Sequence, residues 1–338
     1  MTDYFRPLVQ IGPARPDAAV PLAGGWGWFT HAEVLSRSAS SRVVPAANIP
    51  ASVLARLTAA RTEIASLSLD RPRIMGILNT TPDSFSDGGQ HAAVPDAVRA
   101  GQAMVTAGAD ILDIGGESTR PGADFVPVSE EITRTAPVIA ALRGAGLRTP
   151  ISIDTRKSAV AEAAVSAGAN LVNDVSGFTF DPALGPLCQT LGLPVCVMHA
   201  QGDPATMHLD PRYDNVLLDV YDALERQIAV LEASGIPRSA ILADPGIGFG
   251  KTQEHNLALL ARLSLFHALG TPILLGVSRK RFIGTIGNAP QAQDRAPGSI
   301  AVALAGLGQG VQMIRVHDVK DTRQAVALWH AAYFGSIL

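Results

Sequence analysis

One unit repeats along most of this chain and leaves few architectures open to it. From Arg73 onward, a short apolar run is followed by a polar or glycine-rich turn and then by an alanine-rich stretch with helical patterning. The runs are RIMGILN (73–79), ADILDIGG (109–116), TPISIDT (149–155), NLVNDVSG (170–177), PVCVMHA (194–200), AILADPG (240–246), TPILLGVS (271–278) and QMIRVHD (312–318). Their starts lie about 34 residues apart, the size of one βα unit. Strands alternating with helices imply a parallel sheet. Eight such units predict an α/β protein with the (β/α)8 TIM-barrel fold over residues 72–338.

The polar residues favour a closed barrel over an open, doubly wound sheet. They gather at the ends of the runs: Asn79, Glu117, Asp154, Asn173 with Asp174, His199, Asp244, Ser278, then Arg315 and His317. If all eight strands are parallel, these ends form one rim, where this fold carries its active site. An open sheet would gather ligands at a single switch point instead.

Residues 1–71 read as an N-terminal extension of unassigned role, holding Trp26, Trp28 and a serine-rich stretch. The segment 49–69 predicts one amphipathic helix, with Val53, Leu57, Ala60 and Ile64 on a face. The two tryptophans would find apolar surface at the barrel's lower end.

Composition narrows the function classes. Hydrophobic residues make up 47% and charged residues 17%, which excludes a largely disordered chain. The net charge of −3 excludes a globally basic nucleic-acid binder but leaves room for a local cationic pocket. Cys188 and Cys196 lack metal-ligand or redox spacing and sit in apolar segments, as expected of reduced thiols in a cytoplasmic protein. No apolar run is long enough for a membrane span, and the first residues carry no secretory pattern.

The rim loops offer distinct chemistries. After the first run come Asn79, Thr81, Asp83, Ser86 and Asp87, hard oxygen donors that suit Mg2+ shared with phosphate oxygens; the same residues are also ordinary turn formers. The loop GGESTRPG adds Thr119 and Arg120, whose guanidinium fits carboxylate or phosphate. Asp154, Asp174, Asp244 and Asn173 together could accept from a heterocycle rich in N–H donors, although each Asp alone also reads as a helix cap. Asp174 and Asp113 are the weakest of the acids, Asp113 lying inside its strand. Met198 and Phe249 could wall a flat ring or pack the core. Lys280, Arg315 and His317 lie on the seventh and eighth units, where this fold frequently binds phosphate, and Gly276 leaves room for a ligand. Arg279 and Arg281 read as surface or structural residues, and His208, His255, His267 and His330 as packing or surface residues. GIGFGK lacks the spacing of a phosphate-binding P-loop.

Taken in order, GILNTTPDSFSDGG, DIGGESTRPGA, SIDTRK, LVNDVSG, VMHAQGDPATM, DPGIGFGK, GVSRK and RVHDV resemble the successive motifs of the dihydropteroate synthases, over residues 72–338. The resemblance implies condensation of (7,8-dihydropterin-6-yl)methyl diphosphate with 4-aminobenzoate, releasing diphosphate, in folate synthesis. It implies a homodimer acting on small molecules. By motif position it implies Asn79 as a Mg2+ ligand and Asp87 on the first loop. Thr119 and Arg120 would lie near the diphosphate, and Phe85 and Pro121 would shape the aminobenzoate site. Asp154, Asn173, Asp244 and Lys280 would bind the pterin, and Arg315 and His317 the diphosphate. Thr80, Ala200 and Asp203 depart from the commoner residues without removing a group the chemistry needs. A pterin-binding methyltransferase on the same barrel, or a non-catalytic scaffold, would be the rival readings.

Overall fold

The computed structural model describes residues 3–81, 89–118, 125–202, 207 and 209–337. The extension supplies β1 (Tyr4–Pro7), β2 (Val20–Pro21), β3 (Trp28–Phe29), β4 (His31–Leu35) and β5 (Arg42–Pro45). An antiparallel sheet runs β1-β4-β5, beside a short β2-β3 ribbon. Phe5, Leu22, Phe29, Val34 and Leu57 form its own small core, which reaches Ala268 of the barrel.

The helix expected over 49–69 is shorter. α1 (Ala51–Thr58) ends where Ala59 takes an extended ψ of 127°. Ala65 and Ser66 then adopt left-handed φ values of 49° and 65°. This tight turn lets Ile64 and Leu67 exchange backbone hydrogen bonds of 3.0 and 2.9 Å. Burial decides the outcome over helix propensity. Ile64 and Leu69, almost fully enclosed, enter the lower end of the barrel and close it.

That barrel is built from β6 (Arg73–Asn79), β7 (Ile111–Gly115), β8 (Ile151–Asp154), β9 (Leu171–Asp174), β10 (Val195–Met198), β11 (Ile241–Asp244), β12 (Leu274–Gly276) and β13 (Met313–Val316). All are parallel, in the order β11-β10-β9-β8-β7-β6-β13-β12. A parallel bridge between Ala243 and Ile273, with a 2.9 Å hydrogen bond from Ala243 to the Pro272 carbonyl, joins the two ends. The expected (β/α)8 barrel is thus present, one strand in each predicted run.

The outer helices are α2 (Gly89–Thr106), α3 (Val128–Gly144), α4 (Ser158–Ser166), α5 (Leu184–Thr190), α6 (Val216–Ala233), α7 (Gln253–Leu260), α8 (Arg281–Ile286), α9 (Ala296–Gly308) and α10 (Val319–Phe334). The stretch expected as one helix after the sixth run divides into α7 and a 3-10 segment, Leu263–Leu269. Every residue of that segment is buried, and the Ser264 hydroxyl donates to the Pro7 carbonyl of the extension. The extension also holds the helical ring through the Trp26 indole, which donates to the Leu307 carbonyl and meets Trp329 edge-on at 6.4 Å. Trp28 stays within the extension, donating to Gly12. Trp26 therefore fastens the extension at its side, while aliphatic residues seal the bore.

Alternation along the strands sets what the bore contains. Met75, Ile111, Leu171, Cys196, Leu242, Leu274 and Met313 form an apolar lower layer over Ile64 and Leu69. Two residues further along each of six strands come Asp113, Asn173, Met198, Asp244, Gly276 and Arg315. The polar layer therefore rests on a dry floor. Truncating Ile64 to alanine opens a void in that floor. It is expected to cost about 2–5 kcal/mol of stability in urea denaturation, with substrate KM values unchanged; unaltered stability would remove Ile64 from this role.

Candidate active site

Arg315, near the end of β13, reaches across the bore. Its Nε donates to Asp113 Oδ2 at 2.5 Å and its Nη2 to Asp154 Oδ2 at 2.8 Å. Asn173 Nδ2 donates to the same Asp113 oxygen at 3.1 Å. Two carboxylates thus share one guanidinium. The other Asp113 oxygen, Oδ1, is buried without a hydrogen-bond partner among the described residues. Burial pushes the Asp154 carboxyl up to about 8, against the pull of Arg315, and the neighbouring Asp113 adds to the rise. Burial alone would weaken the Arg315 charge, but Asp113 and Asp154 more than offset it and raise its pKa.

The facing wall comes from the β11 and β12 loops. Asp244 Oδ1 accepts from the Gly246 amide at 2.7 Å, and burial raises the Asp244 pKa against the opposing charge of Lys280. Lys280 donates to the Ile247 carbonyl, and its ammonium sits 4.3 Å from the centre of the Phe249 ring. Burial pushes Lys280 down to about 7, with Asp244 opposing. A Cβ added at Gly276 would lie 3.7 Å from Asp244 Oδ2 and meet nothing closer, so the bore is open beside that carboxylate. Met198 is buried at the end of β10. His317, two residues beyond Arg315, has its Nδ1 2.9 Å from the Ser278 hydroxyl. Asn79 ends β6 half-buried, in register with Gly115.

The structure therefore brings Asp154, Asn173, Met198, Asp244, Phe249, Gly276, Lys280, Arg315, His317 and Asn79 to one end of the barrel. Asp174 does not join them. Its carboxylate takes the Ser176 amide and hydroxyl and the Phe178 amide, at 2.7–2.8 Å, and shapes a turn. Arg279 pairs with Asp318 and Arg281 is exposed, as the structural and surface readings expected. His267 is fully buried under the extension. Asp83, Phe85, Ser86, Asp87, Thr119, Arg120, Pro121, Asp203 and His208 lie outside the described residues. A cavity of about 760 Å³ lies beside the bore, lined by Arg37, His199, Tyr213 and His255 among others.

The sequence of the family described as "Pterin binding enzyme" matches residues 75–317. The dihydropteroate synthase of Escherichia coli (strain K12) is 47% identical over 266 residues, covering 79% of this chain and 93% of that protein. This chain belongs to the dihydropteroate synthase family. The relative from Neisseria meningitidis serogroup B is 44% identical, over 78% of this chain and 94% of its own length. The solved Xanthomonas albilineans synthase with 4-aminobenzoic acid superposes with a TM-score of 0.76 at 45% identity, covering 80% and 97% of the two chains. The same organism's synthase in complex with 7,8-dihydropteroate gives a TM-score of 0.72 at 43% identity, covering 79% and 95%.

Within this family framework, two buried clusters hold charged groups to which the sequence assigned no partner. Glu117 accepts from the Val126 amide and pairs with Arg156 and Lys157; Lys157 also binds Glu131 at 2.5 Å. These bonds tie the two flanks of the GGESTRPG loop to the third unit. Lys251, at the end of DPGIGFGK, is enclosed beneath its own loop. Spacing could not pair Glu117 with Arg156 and Lys157, nor Lys251 with His199, because those partners lie 39 to 52 residues away along the chain. Thr80, a departure from the commoner residue, uses its hydroxyl on the Gly115 carbonyl at 3.1 Å.

Proposed function

We infer that the barrel mouth joins (7,8-dihydropterin-6-yl)methyl diphosphate to 4-aminobenzoate, giving 7,8-dihydropteroate and diphosphate in folate biosynthesis. The observation that carries this reading is the arrangement of acceptors and cations in one bore: Asp113 and Asp154 gathered on Arg315, Asn173 donating to Asp113, and Asp244 with Lys280 beside them. An aminopyrimidinone edge presents N–H donors, and carboxylates accept them. Asp154, Asn173 and Asp244 take that edge in our reading, Lys280 takes a ring acceptor, and Met198 and Phe249 flank the ring. The opening beside Gly276 gives the pterin its space.

The methylene C–O bond breaks with both electrons leaving on diphosphate. The arylamine nitrogen then donates its lone pair to form the C–N bond and sheds a proton to solvent. An aniline nitrogen is already nucleophilic, so no strong base is required. The two acids, through the ring, favour the positive charge that develops on the pterin. Arg315 keeps N–H groups beyond those given to Asp113 and Asp154, and with His317 it receives the departing anion. By motif position Asp87, Thr119 and Arg120 join them from the two loops, and Phe85 and Pro121 border the arylamine. Condensation in an assay holding the two substrates and Mg2+ supports this reading, and no dihydropteroate formed would overturn it.

We also propose that Mg2+ serves the leaving diphosphate, with Asn79 as its protein ligand. The Asn79 side chain, half-buried at the end of β6, offers a hard carbonyl oxygen, and diphosphate and water supply the oxygens a magnesium ion further needs. When bound, the ion would neutralise charge on the diphosphate. Chelation is expected to lower turnover by about 10²-fold or more, with recovery on adding Mg2+. The Asn79→Ala variant should need more Mg2+ for half-maximal rate; undiminished condensation without divalent ions would refute the assignment. The enclosed, unpaired thiols of Cys188 and Cys196 support a reducing, cytoplasmic setting. Leu328 and Tyr333, exposed on α10, support a homodimer. Among the described residues no helix is long and apolar enough to cross a membrane.

A further inference from the structure

Lys251 is a buried amine that the condensation does not use, its pKa held well below the usual lysine value by burial and the neighbouring Lys280 charge. Its Nζ lies 2.8 Å from the Gly246 carbonyl, 3.0 Å from the Phe249 carbonyl and 3.2 Å from the His199 carbonyl. It is also 2.9 Å from His199 Nδ1. Burial, with the nearby Lys251 charge, pushes the His199 imidazole down to about 3, so the ring is neutral and Nδ1 can accept. The Lys251 amine thus bolts the loop after β11 to the loop after β10.

The loop is shaped to allow this. Gly246, Gly248 and Gly250 all take left-handed φ, at 66°, 84° and 59°. A Cβ at Gly246 would lie 1.8 Å from the His199 carbonyl oxygen. The backbone is therefore pressed against its neighbour at a distance only glycine permits. Without the lysine the Gly246 carbonyl would keep the Phe249 amide at 3.1 Å, while the inward-turned carbonyls of Phe249 and His199 would lose their donor.

What this loop presents to the bore is the pterin half of the site. Its Gly246 amide holds Asp244, its Ile247 carbonyl receives Lys280, and its Phe249 ring lies against the same ammonium. We propose that Lys251 is a positioning residue for pterin binding, acting through Phe249 and the Ile247 carbonyl on Lys280 while touching neither substrate. This inference rests on the pterin reading of the bore.

The test compares Lys251→Met, Phe249→Leu and the double variant in the full-length enzyme. Lys251→Met is expected to raise the KM for the pterin diphosphate by about 10-fold or more, with the KM for 4-aminobenzoate within about 3-fold of wild type. The losses in kcat/KM of the two single variants should be strongly non-additive in the double variant, because both act on the same Lys280 contact. Equal losses for both substrates, or additive effects, would overturn the proposal. If Lys251→Met does not fold, Lys251→Gln, which keeps two N–H donors, carries the same comparison. Calorimetric titration of the pterin diphosphate separates the two levels. A wild-type enzyme that binds none of it counts against the functional reading. A Lys251 variant that binds it as tightly as wild type counts against the positioning role alone.

Discussion

Arg315→Ala should lower kcat/KM by at least about 10³-fold and cost about 3–5 kcal/mol of stability in urea denaturation. The size of both effects has one origin. Arg315 is the only described cation hydrogen-bonded to Asp113 and Asp154, and removing it leaves two acids facing each other, Asp113 fully enclosed and Asp154 nearly so. The catalytic loss is the absence of a preorganised charge for the departing diphosphate. The stability loss is the uncompensated pair. The two separate in a double variant, Arg315→Met with Asp113→Asn, which should recover much of the stability and none of the turnover. Turnover of Arg315→Ala within a few-fold of wild type would remove the residue from the site.

Asp154→Asn is expected to lower turnover by about 10²–10³-fold while making the substrate-free enzyme more stable in mild alkali. The sign follows from its raised pKa. Folding lifts Asp154 to about 8 through burial, from the ordinary carboxylate range near 4. The folded chain therefore holds this proton where the unfolded chain has lost it. The stabilisation from that proton is fully present below pH ~4 and drains away as pH rises toward ~8. An asparagine cannot ionise, so the variant lacks this decline and should melt above wild type at pH 8.5. Melting curves across pH 5–9 would show it; a variant less stable than wild type throughout would contradict the assignment. On the proposed reading this carboxyl group meets the pterin, so stability without ligand is sacrificed for function.

Much of this was legible in the residues because two periods are strict. A parallel barrel strand presents alternate residues to the bore, so polar residues near the ends of eight apolar runs had to converge if the barrel closed. That is why Asp154, Asn173, Asp244 and Arg315 could be named before any coordinates. Asp113 was undervalued because its strand is otherwise apolar; only the register across the bore pairs it with Arg315, some 200 residues away. Asp174, ranked among the weakest of the acids, stays out of the site because its neighbour Asn173 faces inward and alternation sends the next side chain outward to cap a turn. The helix over 49–69 failed for a tertiary reason: Ile64 gains more from the barrel floor than from a helical face. The 3-10 segment Leu263–Leu269 likewise bends under an extension whose docking no local pattern encodes.

Ile64 and Leu69 make the cylinder blind at one end. A blind tube imposes a queue. The pterin that goes deepest must arrive before the arylamine covers it, and dihydropteroate cannot retreat by any path other than the one its precursors took. On the proposed reading, diphosphate is then the first that can depart, and product inhibition should carry the signature of that ordered departure.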